Sequence, residues 1–174
     1  MKRLAIVIIG LFAVAGVAFP QAPEQAGAGP SHDPGAGFGL GMISFDQSGT
    51  VGEVTDVVLP VFSFVSVVAR PIVYFDAGGF FDVGGRLELQ LRSPIYLNLA
   101  RVYVGFGPQA FYEASGGASG QTDFSGGWEI GLEVFLAPQV SARWEMGTSG
   151  GGVVYGAGPS LSVGLRVYPW AVSP

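Results

Sequence analysis

The chain has 174 residues, which is enough for one domain with a core of its own or for one closed barrel. Charged residues make up 12% of it and glycine accounts for 29 residues, whereas about 25% charged residues is usual for soluble proteins. The excess of acidic over basic residues disfavours nucleic acid as a partner, and the absence of cysteine excludes a disulfide framework and thiolate chemistry.

The first predicted element is a cleaved secretory signal peptide at residues 1–18. A positively charged start, MKR, precedes residues 4–19, which carry no charge, as in the basic and apolar regions of such a signal. This apolar run is shorter than the roughly 20 residues that a spanning helix needs, which disfavours an uncleaved anchor. The small residues Gly16 and Ala18 suit a signal peptidase, so we expect cleavage after Ala18. The mature chain then contains no lysine.

Residues 19–36 form a predicted flexible lead-in. They are dense in proline, glycine and alanine and have no apolar periodicity. The only histidine of the chain, His32, lies here beside Asp33. We expect neither a metal site nor catalysis from this pair, because nothing rigid would hold it.

A series of β-strands is predicted from residue 37 to residue 170. Apolar and polar residues alternate with period two, which indicates strands whose two faces meet different surroundings, in segments 83–92, 99–113, 128–136, 140–147 and 160–168. Weaker signals predict strands at 37–45, 54–68 and 71–76. The second of these weaker segments is nearly all apolar and has Pro60 inside it.

The connections between the predicted strands alternate in length. The long ones are rich in glycine, serine and aspartate and lie at 46–53, 76–79, 114–125 and 149–152. The short ones are predicted as tight turns at 69–71, 93–94 and 137–139. This alternation is typical of outer-membrane barrels, with short periplasmic turns and longer external loops. We therefore predict an all-β fold, an eight-stranded antiparallel up-and-down transmembrane β-barrel over residues 37–170, followed by a short tail at 171–174.

Charges and glycines share one face of these strands, and apolar residues share the other. A soluble barrel needs a hydrated exterior, for which one to three charges per strand would be sparse. The bore of an eight-stranded barrel is just wide enough to be filled by side chains. If this face lines the bore, its small residues would leave room for a few long arginine and glutamate side chains. We predict a lumen ion-pair network of Arg86, Glu88, Arg101, Glu129, Glu133, Arg143, Glu145 and Arg166. The opposite face is predicted to meet lipid through Leu87, Leu89, Val102, Val104, Trp128, Ile130, Leu132, Val134, Trp144, Met146, Leu161, Val163, Leu165 and Val167.

A three-residue turn at 137–139 would set the register of the strands on either side of it. Leu136 would then face Val140, and Glu133 would face Arg143 at a spacing where opposite charges attract. We expect an ion pair between these two, because an arginine on the lipid side would cost about 2–4 kcal/mol at the bilayer midplane. The alternative is an ordinary half-exposed hairpin with a surface ion pair, which leaves the absence of lysine unexplained.

The same register would place Glu145 opposite Gly131, where Arg166 of a neighbouring strand could reach it. Trp128 and Trp170 would lie near opposite ends of the barrel, as in the aromatic girdles at membrane interfaces. Acidic residues gather in or beside the predicted external loops, namely Asp46, Glu53, Asp56, Asp76, Asp82, Glu113 and Asp123. Divalent cations or surface ligands could bind there, although solvated loop acids are the more ordinary interpretation.

Three segments carry a resemblance to a known family. VYVGFGPQAFY at 102–112, EIGLEVFLAPQV at 129–140 and SLSVGLRVYPW at 160–170 resemble the small outer-membrane β-barrel superfamily, which contains the OmpA transmembrane domain and OmpX-like proteins. The resemblance implies a bacterial outer-membrane location, outer-membrane lipids and the barrel-assembly machinery as partners, and a monomer. Members typically end on an aromatic residue, whereas here Trp170 is followed by four more residues.

The sequence contains no pattern that predicts an enzyme. No histidine lies on a predicted strand to activate a serine, as a lipid-modifying barrel enzyme would need, and the glycine-rich segment 35–41 lacks the spacing of a phosphate-binding loop. We predict no cofactor and no metal. The expected role is structural or interactive, in membrane integrity or adhesion, or a very narrow solute path. The alternatives are a soluble lipocalin-like barrel that carries an apolar ligand and a lipid-modifying membrane enzyme.

Overall fold

The computed structural model of the protein describes residues 34–45, 51–75, 81–113, 120, 122–149 and 158–170. The predicted signal peptide, the lead-in before residue 34, His32 with Asp33, and the tail at 171–174 lie outside these residues. Eight β-strands account for the regular structure described. In chain order they are β1 (Gly37–Phe45), β2 (Val51–Phe62), β3 (Val65–Phe75), β4 (Phe81–Arg92), β5 (Ala100–Glu113), β6 (Thr122–Ala137), β7 (Val140–Ser149) and β8 (Gly158–Val167).

The strands form one closed barrel in the order of the chain. Each strand pairs antiparallel with its neighbours, and β1 also pairs with β8, from Phe38 opposite Val167 to Phe45 opposite Ser160. Closure removes the unpaired sheet edges that would otherwise have to be covered. The predicted all-β, eight-stranded, up-and-down barrel is therefore confirmed as an architecture. No helix in the described ranges is long and apolar enough to cross a membrane.

Alternation along each strand separates the interior of the barrel from its outer wall. On β6, Trp128, Ile130 and Leu132 are exposed on the outside, while Glu129 and Glu133 are buried inside. The cause is the pleat of a β-strand, which turns successive side chains to opposite faces. The interior of the described barrel is therefore largely polar, and its outer wall is apolar.

The hairpin formed by β2 and β3 differs from the prediction made for it. The predicted strand at 54–68 and the predicted turn at 69–71 are both wrong, because β2 ends at Phe62 and the chain turns at residues 63–64. This turn contains no glycine, proline, asparagine or aspartate to mark it in the sequence. Pro71, which suggested a turn, is an exposed residue within β3.

Two further turns also differ from their predictions. The predicted tight turn at 93–94 is a longer connection, in which Leu97 and Asn98 take positive φ angles of 52° and 54°. At the turn between β6 and β7, Ala137 and not Leu136 faces Val140, because a β-bulge lies between Phe135 and Ala137. A bulge adds one residue to one strand of a pair. The register is therefore shifted by one residue between the bulge and the turn, and it is as predicted from Phe135 back to Trp128.

Candidate functional site

The interior of the barrel is filled by charged side chains. Among the described residues, six arginines and five acids are buried there, namely Arg70, Arg86, Arg92, Arg101, Arg143 and Arg166 with Asp56, Glu88, Glu129, Glu133 and Glu145. Removing an ion from water costs several kcal/mol unless it gains a close partner of opposite charge and further hydrogen bonds. The barrel can therefore be stable only if these buried charges are paired with one another.

All the residues predicted for the lumen network lie in this interior. The eight side chains come from β4 to β8, and none of these residues is more than 5% exposed. Those predicted to face lipid lie on the outer wall, where twelve of the fourteen are exposed and Val134 and Leu165 are half-buried. The structure thus places the two predicted sets on opposite faces of the same strands.

Arg70 on β3 is the centre of the ion network. Its Nη1 and Nη2 donate to both carboxylate oxygens of Glu129 at 2.6 and 2.8 Å, and to both of Glu145 at 2.9 and 2.6 Å. Its Nε lies 3.5 Å from Glu88. Because β3 and β7 stand four strands apart in a barrel of eight, the contact between Arg70 and Glu145 spans the lumen. One guanidinium thus ties β3 to β4, β6 and β7.

Glu145 on β7 receives two further partners besides Arg70. Arg143 and the hydroxyl of Tyr103 both donate to its carboxylate. Arg143 also lies 3.2 Å from Asp56 on β2. These contacts extend the network to β2, β5 and β7.

A second group of contacts surrounds Glu88 and Glu129 toward the loop end of the barrel. Arg86 donates to Glu88 at 2.9 Å and to Gln109 at 3.0 Å, and it lies 3.5 Å from Glu129. Gln90 donates to Glu129 at 3.1 Å. A neutral amide and a second arginine therefore share the carboxylates that Arg70 contacts.

Glu133 is the centre of a third group, at the short-turn end of the barrel. It accepts hydrogen bonds from Arg101 at 2.7 Å, from Ser141 at 2.5 Å and from Tyr168 at 2.6 Å. Arg166 lies 3.4 Å from Glu133 and reaches Asp56 on its other side at 2.9 Å. This carboxylate thus accepts hydrogen bonds from four side chains, two of them cations.

Apolar side chains lie beyond the charged region at each end of the barrel. The cluster at the loop end contains Ile43, Val54, Ile72, Tyr74 and Phe111. At the short-turn end Phe135 packs on Tyr168 with a ring separation of 6.0 Å, and Ile95 packs against both. The guanidinium of Arg101 lies 5.3 Å from the centre of the Phe135 ring, a cation–π distance. The charged region therefore lies between two apolar layers.

The predicted pairing of individual charges is wrong, although the register of β6 and β7 is confirmed. Glu133 does lie opposite Arg143, and Gly131 lies opposite Glu145, yet no ion pair joins Glu133 to Arg143. Arg143 contacts Glu145 and Asp56 instead. Nor does Arg166 pair with Glu145 as predicted.

The reason is the space that the lumen offers to long side chains. The Arg143 guanidinium lies beside Gly41 and Gly164, where a Cβ atom would approach it to 3.1 Å. These glycines leave a path across β8 and β1 toward Asp56. An arginine on a barrel wall can therefore pass the residue directly opposite it and pair with one several strands away.

A double-mutant cycle would test these partners. We expect Glu133→Gln and Arg101→Met to show a coupling energy of about 1–3 kcal/mol in the free energy of unfolding, because the two side chains are in contact. The matched cycle of Glu133→Gln with Arg143→Met should give a smaller value. Urea unfolding of the folded protein in lipid vesicles, followed by tryptophan fluorescence, measures both. A larger coupling for the Arg143 cycle would contradict the assignment.

Sequence reasoning missed two central members of the network. The sequence pattern predicts Arg70 in the turn at 69–71 and Asp56 among the acids in or beside the external loops. The structure places Arg70 within β3 and Asp56 within β2, both buried. Their inward-facing neighbours along the strands are apolar, as Val54 and Val58 are around Asp56, so no polar face marks these strands. A single charge on a largely apolar inward face was the available signal.

Gly131 makes room for the ring of Tyr103, which fills the lumen opposite Glu145. A Cβ atom at this position would overlap the Tyr103 ring. We expect Gly131→Ala to lower the free energy of unfolding by about 1–3 kcal/mol, as overpacking does in a filled interior. Gly126→Ala is the control, since the nearest heavy atom to its Cβ would be 4.0 Å away. Urea midpoints would compare the two, and equal midpoints would contradict this role for Gly131.

In the described ranges, no group of three histidine, cysteine, aspartate or glutamate residues is arranged to hold a metal ion. The carboxylates of the lumen have arginine, tyrosine, serine and glutamine donors around them. This arrangement supports a structural role, in which ion pairs and hydrogen bonds hold the strands of the barrel together.

Comparison with known proteins supports the architecture. No protein-family profile matches the chain, and no sequence among the curated proteins matches it. The structure is similar to the N-terminal β-barrel domain of Pseudomonas aeruginosa OprF, with a TM-score of 0.60, 11% identity, and coverage of 76% of this chain and 95% of that one. It is also similar to Neisserial surface protein A (NspA), with a TM-score of 0.56, 14% identity, and coverage of 76% and 94%.

A further match is the Yersinia pestis outer membrane protein Ail in a phospholipid bilayer nanodisc, with a TM-score of 0.50 and 11% identity. This match covers 76% of this chain and 97% of that one. At such low identity, these similarities are evidence of the fold alone. The chain has the fold of the small eight-stranded outer-membrane β-barrels.

Proposed function

We propose that the protein is an integral β-barrel of the bacterial outer membrane with a structural or interaction role and a lumen closed to solutes. The observation that carries the proposal is the inverted distribution of polarity. Large apolar side chains are exposed on every strand except β3, whose outward valines are half-buried. Monomeric soluble proteins rarely expose contiguous apolar patches larger than a few hundred Å². A continuous apolar wall fits the hydrocarbon of a bilayer.

The same distribution disfavours a soluble carrier of an apolar ligand. Such a carrier needs an apolar cavity inside a hydrated wall. This interior instead holds charged side chains that contact one another, with apolar layers only toward its ends. A lipid-modifying enzyme is also disfavoured, because the described residues include no histidine to activate a serine.

The filled interior also bears on conduction. The side chains of Arg70, Glu129 and Glu145 meet across the lumen at hydrogen-bond distance, and an eight-stranded barrel has little bore beyond its side chains. A solute would have to separate these groups in order to pass. We therefore propose a closed barrel rather than a narrow pore.

Among the remaining roles, the length of two strands favours interaction with partners outside the cell. β5 and β6 have 14 and 16 residues, whereas a strand that crosses a bilayer needs about 9–11. Their pairing continues to Tyr112 opposite Thr122, and Phe124 is 81% exposed near this end. A wall that extends past the membrane on the loop side would present a surface to partners outside the cell. Outer-membrane lipids and the barrel-assembly machinery remain proposed partners, and we propose a monomer.

Expression of the full chain with its N-terminal segment in a diderm bacterium tests the proposal. We expect the protein to fractionate with the outer membrane, to be extracted by detergent, and to migrate faster on a detergent gel before heating than after it. N-terminal sequencing would identify the cleavage site, expected after Ala18. In planar bilayers we expect no steady conductance. A monomer that stays soluble without detergent would contradict membrane insertion, and stable open channels would contradict a closed lumen.

A further inference from the structure

Two neighbouring turns at the short-turn end of the barrel expose apolar side chains. The turn from β2 to β3 carries Phe62 and Phe64, which are both exposed and stack with a ring separation of 6.2 Å. The connection from β4 to β5 carries three more exposed apolar side chains, those of Tyr96, Leu97 and Leu99. Because β3 pairs with β4 up to this end, the two turns lie side by side.

Leu97 has a backbone conformation that leucine rarely adopts. Its φ angle is 52° and that of Asn98 is 54°, in the left-handed region that glycine and asparagine adopt more readily. Leu97 is also 93% exposed, the largest fraction among the large apolar side chains that the structure describes. Packing within the protein therefore offsets neither the backbone strain nor the exposed apolar area. A contact outside the protein would supply the stabilisation that packing does not.

The connection from β4 to β5 also pairs polar groups internally. The N–H of Tyr96 donates to the carbonyl of Ala100 at 2.7 Å, and the N–H of Leu99 donates to the carbonyl of Tyr96 at 2.9 Å. The hydroxyl of Ser93 accepts a hydrogen bond from the N–H of Val102 at 3.1 Å. Hydrocarbon offers no partner to a backbone polar group, so a segment that contacts lipid needs internal bonds of this kind.

The apolar surface of the two turns is continuous with the outer wall. Val61 on β2 and Leu91 on β4 are exposed beside the turns. Residues 57–69 contain no charged residue, and the charged residues of 87–104, all buried in the lumen, are Glu88, Arg92 and Arg101. This side of the barrel therefore presents no charge to its surroundings from the wall to the tips of the turns. A protein-binding surface usually has a polar rim around its apolar centre.

We propose that these two turns are inserted in the lipid, where the acyl chains of the membrane cover Phe64 and Leu97. The short-turn end is thereby anchored on the side of β2 to β5. The turn between β6 and β7, whose exposed side chain is the polar Gln139, meets water. This inference rests on the proposed function and adds to it the position of the turns relative to the membrane.

Single fluorescent labels test the position of each turn, because the chain contains no cysteine. Phe64→Cys and Leu97→Cys place a label on the two apolar turns, and Gln139→Cys places the control label on the third turn of this end. The proteins are folded in phosphatidylcholine nanodiscs, which leave both membrane faces open to the buffer. We expect nitroxide-labelled acyl chains to quench the labels on the apolar turns several times more strongly than the control label. Iodide in the buffer should show the reverse order.

A label at Leu132→Cys on the outer wall separates this inference from the proposed function. If lipid quenches this label but leaves those at Phe64→Cys and Leu97→Cys to iodide, the turns face water or a protein partner and the inference is wrong. If lipid quenches none of the labels, the proposed membrane embedding fails as well. Faster migration on an unheated gel verifies that each variant is folded.

Leu97→Asn tests the same contact by the sign of its effect. In water asparagine would be the better residue here, because it adopts left-handed backbone more readily, and the urea midpoint would rise. In lipid the variant loses apolar contact and must desolvate an amide, so we expect the midpoint in phosphatidylcholine vesicles to fall. Leu97→Met keeps an apolar side chain and should change the midpoint less. A rise for Leu97→Asn would overturn the inference.

Discussion

Replacing Arg70 by methionine is expected to lower the free energy of unfolding by about 3–5 kcal/mol, the cost of breaking a buried ion pair by removal of one partner. Methionine keeps much of the length of the side chain but none of its donors. Glu88, Glu129 and Glu145 would then share the lumen without the guanidinium that lies between them. The midpoint of urea unfolding in phosphatidylcholine vesicles measures this loss.

Two controls separate the charge of Arg70 from its geometry. Arg70→Lys keeps the positive charge, but its three donors cannot replace the four hydrogen bonds that the guanidinium gives to Glu129 and Glu145, so we expect an intermediate loss. Adding Glu129→Gln to Arg70→Met removes the carboxylate whose remaining cation, Arg86, lies 3.5 Å away. Because this restores the excess of one arginine over the acids of the lumen, it should recover part of the stability. A loss below about 1 kcal/mol for Arg70→Met, or no recovery in the combined variant, would show that the three carboxylates do not depend on this arginine.

Leu132→Arg is the substitution expected to have the next largest effect. Leu132 is exposed on the outer wall opposite Trp144, in the middle of the apolar band. An arginine at the bilayer midplane of a barrel costs about 2–4 kcal/mol, so we expect a loss of this size in vesicles. The identical change at Phe124, near the loop end of β6, should cost about 0–1 kcal/mol, because the penalty falls toward the interface.

The control at the same position is Leu132→Ala, which shortens the side chain without adding charge. If the arginine and alanine variants unfold at the same urea concentration, the outer wall does not face hydrocarbon at this level. If arginine lowers the free energy of unfolding as much at Phe124 as at Leu132, the two positions do not lie at the different depths in the bilayer that we propose. These results would count against membrane embedding and leave the barrel architecture intact.

Local patterns were sufficient to predict the barrel where they were strong. From residue 99 onward, the strands alternate polar or small residues with apolar ones, and β5, β7 and β8 lie close to their predicted limits. The predicted start of β6 is wrong, because the strand begins at Thr122 and not at Trp128, so residues 122–125 do not belong to the predicted loop at 114–125. The pattern failed between residues 54 and 76, where Asp56 and Arg70 have apolar neighbours on their inward face. There the periodicity disappears and Ser63 is the one turn-favouring residue of the turn, so length and composition could not locate it.

The sequence by itself determined that strands with one polar and one apolar face would follow one another in an antiparallel meander, because a strand turns successive side chains to opposite sides wherever it lies. It also determined that the chain contains no lysine after residue 3, so that the cations of the strands would be arginines. Only the tertiary structure decided which arginine meets which carboxylate. Arg70 reaches Glu145 across the lumen, and Arg143 passes beside Gly41 and Gly164 toward Asp56. Such partners are set by barrel closure and by the space that glycines leave, and neither is a local property of the chain.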